Sequence, residues 1–136
     1  MLSIPLTPSS DVPIYRQIVQ HVRRAVAQGH LQLGEQLPPG RTLAETLVVN
    51  PNTVARAYQE LIRDGVLESR SGIGVFVADR VHQVFSEPER QRRLAHALEQ
   101  VLYEAVLLDF SLPEVRVALE EQWKNFKRNT QPGGKK

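Results

Sequence analysis

Val49–Gly65 reads VNPNTVARAYQELIRDG. Asn50 is of the type that caps helices, and Pro51 suits a first helical turn, where its missing N–H is not needed. Val54, Ala57, Tyr58 and Leu61 recur at i, i+3, i+4 and i+7, so one face is buried. That spacing makes Tyr58 a core residue rather than a stacking platform. Asn52, Thr53 and Arg56 fall on the other side, near the positive end of the helix. Amide, hydroxyl and guanidinium groups at an exposed helix N-terminus suit phosphates and base edges in a major groove. Gly65 closes the helix. The stretch reads as a recognition helix, and its chemistry points to duplex DNA.

The residues just upstream supply a partner helix. Arg41 to Leu47 would bury Leu43, Ala44 and Leu47, and only Val48 to Asn50 separate it from the recognition helix. Two short helices joined this tightly, with apolar Val49 in the turn, read as helix-turn-helix. Further upstream, HLQLGEQLPPG is a loop by its Gly and Pro content. An earlier helix starts near Asp11 to Pro13 and runs to Gln28, with Ile14, Ile18, Val22, Ala25 and Val26 as its apolar stripe. Residues Met1 to Ser10 alternate Leu2, Ile4 and Leu6 around Pro5 and Pro8, the pattern of an extended arm or edge strand.

Downstream of Gly65 the period changes from helix to strand. VLESR and VFVAD flank Ser71-Gly72-Ile73-Gly74, a hairpin signal. Helix-turn-helix plus hairpin is a winged helix, and the glycines at the wing tip permit close backbone approach to a surface. Asp79 to Pro88 reads as a linker. Two S-x-x-E capping boxes follow, Ser86 with Glu89 and Ser111 with Glu114, each with a proline just inside. They mark helices over Pro88–Asp109 and Pro113–Lys127. Leu94, Leu98, Val101, Ala105 and Leu108 recur at 4-3-4-3 spacing, widened by Leu102 and Val106. Val115, Leu119, Gln122, Trp123 and Phe126 share a face of the second helix. Two helices cannot surround so wide a stripe unaided. A second subunit is the simplest cover, with Leu94, Leu98, Val101, Ala105, Leu108, Leu119 and Trp123 at a dimer interface.

Composition bounds the alternatives. The 136 residues are 41% hydrophobic and 24% charged, the balance of a globular domain or two small ones. The absence of cysteine rules out disulfides, a Cys-based zinc site and a thiol nucleophile. His21, His30, His82 and His96 have no ligand spacing, so no metal and no cofactor are expected. Glu120-Glu121 is a solvated helix face. No apolar run approaches a membrane span and the first residues lack signal-peptide character, so a cytoplasmic protein without a membrane partner is expected. Net charge is only +2, from 17 basic and 15 acidic residues. The case for nucleic acid therefore rests on where the arginines sit. All four lysines lie from Lys124 onward, and earlier residues use arginine alone, the better donor to guanine and phosphate.

Residues 13–78 resemble the winged-helix domain of GntR-type bacterial transcription regulators. The resemblance is carried jointly by PIYRQI, the L-P-x-x-R-x-LA segment from Leu37 to Ala44, NPNTVARAYQELIRDG and the SRSGIGVFV wing. The NPNTV-x-RAY wording and short two-helix tail look most like the YtrA-like branch. That branch implies small dimeric repressors, often encoded beside transporter genes. Position by position, the resemblance implies DNA contacts at Arg41, at Asn52 and Thr53, and at the wing tip, Ser71 and Gly72 with Arg70 beside them. Three departures stand out. Pro39 replaces the usual Ser or Ala before the second helix. Ala55 stands where an arginine is common, and Arg56 is rotated from it by about 100°. Ile73 occupies a place where a basic residue is frequent.

The expected architecture is mainly α with a small β-wing: a winged helix-turn-helix domain over 1–80, a two-helix dimerisation domain over 81–130, and a disordered tail over 131–136. The expected function is a sequence-specific regulator, a repressor binding an inverted-repeat DNA operator as a homodimer. The alternative is a winged-helix protein-interaction module without DNA specificity. An enzyme is the remote reading. Some GntR relatives carry a fused domain that uses pyridoxal phosphate, but about 56 residues after residue 80 are too few for it or for a large ligand-binding domain. The cleft between dimer helices leaves room for a small-molecule effector that the sequence does not name.

Overall fold

The computed structural model describes residues 2–79 and 85–130. The chain forms two compact units, Met1–Val81 and His82–Lys136. The first contains α1 (Ile14–Ala27), α2 (Gly40–Leu47), α3 (Pro51–Arg63), β1 (Leu67–Arg70) and β2 (Gly74–Val77). The second contains α4 (Glu87–Leu107) and α5 (Leu112–Thr130). The result is a mainly helical chain with a two-stranded wing, as the sequence implied.

In the first unit α3 is the central element, packed against α1, α2 and β1. Its Val54, Ala57, Tyr58 and Leu61 are all buried, the quartet that the spacing selected. They meet Ile18 and Val22 of α1, Leu43 and Ala44 of α2, and Leu67 and Val77 of the wing in one core. Ile14, Ala25, Val26 and Leu47 pack at its edge, half-buried. Burying side chains of this size contributes about 1.5–3 kcal/mol each before ordering costs.

One buried polar residue on α1 lies outside the apolar stripe. Gln17 Oε1 accepts from the Thr7 amide at 2.8 Å, and its Nε2 donates to the carbonyls of Thr7 at 3.0 Å and Val12 at 2.9 Å. These bonds pin the N-terminal arm, with Ile4 buried and Leu2 and Leu6 against the core. The arm is extended but is not a strand. Pro5 and Pro8 lack donors, and Gln17 takes the Thr7 groups a ladder would need.

The wing is antiparallel, in register from Leu67 opposite Val77 to Arg70 opposite Gly74. The segment before α2 is more ordered than its loop composition suggests. The Gly34 amide donates to the Val77 carbonyl, Val77 to Glu35 and Leu37 to Val75, at 2.8–2.9 Å. This gives β2 a short second partner on its other edge, with Gln36 bridged to Phe76.

In the second unit both serines cap as expected, but only one box closes. Ser111 Oγ accepts from the Glu114 amide, and Glu114 Oε1 accepts from the Ser111 amide at 2.8 Å. Ser86 Oγ accepts from the Glu89 amide at 3.3 Å, while the Glu89 carboxylate turns to Arg92 and Arg93. Asp109 sits at φ 63° just past α4, a left-handed residue that ends the helix. Helix α5 continues to Thr130, beyond the expected Lys127. Of the linker expected over Asp79–Pro88, residues 80–84 lie outside the described residues, as does the tail expected over 131–136, while Glu87 and Pro88 already belong to α4.

Among the described residues, the stripe on α4 and α5 is largely exposed. Leu94, Leu98, Val101, Leu108, Leu119 and Trp123 are 40–60% exposed, and Ala105 alone of the expected interface set is buried. No described helix is long and apolar enough to cross a membrane.

Candidate nucleic-acid interface

The outer face of α3 follows from its inner one. Counting by threes and fours away from the buried quartet places Asn52, Arg56, Gln59 and Arg63 along the exposed crest. Thr53 flanks them, half-buried. Asn50 caps the helix by accepting from the Asn52 amide at 2.8 Å. The side chains of Asn52 and Thr53 have no protein partner among the described residues, which leaves their donors and acceptors outward.

Helix α2 brings Arg41 alongside. Its N-cap is Pro39, which has no side-chain bond to offer, so the departure at this position leaves the first amides of α2 uncapped. An uncapped helix start is a partial positive charge. A Cβ added to Gly40 would sit 3.7 Å from Val54 Cγ1, so the start of α2 lies against the first turn of α3. Tyr58 Oη donates to the Pro38 carbonyl at 2.7 Å and anchors the lead-in. Burial pushes the Tyr58 phenol well above its ordinary pKa, so it stays a donor. Arg41 itself is exposed and has no protein partner among the described residues.

The wing tip lies on the same lead-in. Gln36 Nε2 donates to the Ile73 carbonyl at 3.1 Å, five residues before Arg41. Gly74 has φ 144°, and a Cβ there would meet Gln36 Nε2 at 2.7 Å, so the glycine admits this brace. Gly72 has φ 74° and open space around it, so the turn rather than crowding requires it. Ser71, Gly72 and Ile73 are exposed.

Two arginines of the expected site are held by other groups. Arg70 stacks on Phe76, with its guanidinium carbon 4.1 Å from the ring centre. It also pairs with Glu68 at 2.8 Å and with Asp79 at 3.4 Å. Arg56 donates from Nη2 to Tyr15 Oη at 3.2 Å and lies 3.8 Å from the centre of that ring.

Sequence reasoning passed over Gln59 and Arg63, although counting on from Asn52 and Arg56 reaches both. It also passed over Val48, which adopts φ 57°, ψ 54° and is 88% exposed in the turn before α3. A β-branched residue in the left-handed region is strained by about 1–2 kcal/mol. Nothing in the local pattern signals it, because the turn type is set by how α2 and α3 pack.

Known proteins share both the sequence and the shape. The family model described as bacterial regulatory proteins, gntR family, matches residues 14–77. The HTH-type transcriptional repressor YtrA of Bacillus subtilis is 31% identical over 133 residues, which cover 98% of each chain. The transcriptional antiterminator of Listeria monocytogenes superposes with a TM-score of 0.75 at 32% identity, covering 91% of this chain and 92% of that one. YtrA from Sulfolobus acidocaldarius, a GntR-family transcription factor, gives 0.59 at 31% identity over 76% of this chain and 97% of its own.

Proposed function

The chain belongs to the gntR family of bacterial regulatory proteins and is YtrA-like within it, and we propose that it represses transcription as a homodimer on an inverted-repeat operator. One observation carries the reading: the polar crest of α3 stands beside the uncapped start of α2 and its Arg41, which has no partner among the described residues. Arg41 contacts phosphate, an interaction that orients the protein without reading sequence. Asn52 and Thr53 read base edges, the amide of Asn52 being suited to the two groups of an adenine. Ser71 and Gly72 approach the neighbouring groove at the wing tip. Arg70 joins them only if it leaves Glu68 and Asp79.

The apolar stripe of α4 and α5 supports the homodimer, because a C2 interface sets the same patch of both copies against itself and so buries both stripes at once. Twofold symmetry in the protein then sets a twofold operator whose half-site spacing follows the separation of the two α3 helices. Such a protein works where the chromosome is, in the cytoplasm.

A fluorescence anisotropy titration tests this. Arg41→Ala should weaken binding about tenfold on every duplex, and Asn52→Ala should relax base preference at one position per half-site by about 1–3 kcal/mol. Unchanged affinity on both counts would remove these residues from the site. The neutralised Arg70 and the small net charge favour a second reading, a protein-interaction module. Binding that ignores salt, with no retention on heparin, would establish it.

A further inference from the structure

We infer that Tyr15 is a positioning residue that presents Arg56 to a backbone phosphate at the groove wall rather than to a base. The inference rests on the DNA-binding reading above and assigns a role within it to α1. Arg56 lies on the crest of α3, yet its guanidinium leans back onto α1, hydrogen-bonded to Tyr15 Oη at 3.2 Å and stacked 3.8 Å from the ring centre. Tyr15 is half-buried against the core, so the platform is fixed.

The neighbouring residue of α1 keeps the charge of Arg56 available. Glu60 lies one turn on from Arg56, at the i+4 place where a carboxylate would neutralise it. Arg16 holds Glu60 in an ion pair instead, and Arg63 approaches the other oxygen at 3.8 Å. Arg70, by contrast, is paired with two carboxylates. Arg56 therefore keeps its full charge, has a set orientation and uses one of five N–H donors on the tyrosine. A guanidinium already ordered in the free protein loses less freedom on binding. Reading a guanine needs two donors extended along the crest toward the groove floor. A guanidinium tied to α1 points to the side, where the sugar-phosphate wall runs.

The test is a double-mutant cycle on the full-length chain, read by anisotropy across a salt series on a duplex enriched from random DNA. Arg56→Ala should flatten the slope of log affinity against log salt by about 0.9 per subunit, with base preference unchanged. Tyr15→Leu should weaken binding about threefold in the native background and not at all in the Arg56→Ala background. Tyr15→Phe keeps the ring in the core, and should show a smaller loss that also vanishes with Arg56. Equal losses from the tyrosine variants in both backgrounds would overturn the inference. So would an Arg56→Ala variant that changes base preference at one position while keeping the salt slope. If the native chain binds no duplex at any salt, the DNA-binding reading itself falls, and this inference with it.

Discussion

The two units use the same spacing rule to different ends. In Met1–Val81 the apolar residues of α1, α2, α3 and the wing close around one another, and each helix face finds its cover within the chain. In His82–Lys136 the stripes on α4 and α5 are as regular, yet Ala105 is the only buried residue of α4. Periodicity says which face of a helix is apolar. It does not say whether the cover comes from the same chain or from another. The first unit should be stable at any concentration, whereas the second should depend on how much protein is present.

The sharpest test of that contrast has the largest effect. Leu61→Ala, in the middle of α3, should destabilise the first unit by about 2–5 kcal/mol in urea unfolding, equally at every protein concentration. Leu98→Asp, on α4, should instead leave the first unit intact and make sedimentation show monomers. A Leu98→Asp protein that stays dimeric would erase the difference between the units. A smaller effect is expected at Gln17. Gln17→Leu strands the Thr7 amide and two carbonyls, and should cost about 1–3 kcal/mol with faster hydrogen exchange in the arm. A change of opposite sign comes next. Val48→Gly removes left-handed strain and should raise stability by about 1 kcal/mol, read as a higher melting temperature.

The smallest effect is a titration in the second unit. The backbone amide and hydroxyl of Ser111 hold the Glu114 carboxyl below its usual range. A depressed carboxyl stabilises the fold above its ordinary pKa of about 4.3, and that contribution is lost as pH falls through the lower value. Protection of the amides in the first turn of α5, taken relative to their intrinsic exchange rates, should therefore fall in acid, and Glu114→Gln should abolish that fall. Exchange that follows pH identically in both proteins would separate Glu114 from the cap.

Most of α3 was legible because what defines it is local. Its cap, first-turn proline, buried quartet and closing glycine all lie within one short stretch, and the same holds for the hairpin around Ser71–Gly74. Contacts between distant polar atoms were not legible. Gln17 looks like any surface amide until the arm folds onto it, and Gln36 reaches Ile73 across 37 residues. Tyr15 and Arg56 are 41 apart. Its place on α3 marked Arg56 as a donor to DNA, and the family resemblance marked Arg70. The structure separates them, because Glu68 and Asp79 neutralise one while Arg16 diverts Glu60 from the other.

If the proposed function is right, a pair of first units, joined through their second units, reads DNA with twofold symmetry. Selection of bound sequences from random duplexes by the full-length chain tests it most directly. An inverted repeat with one fixed spacing between its halves should be enriched. Enrichment of a single unrepeated half-site, or of nothing at all, would contradict it.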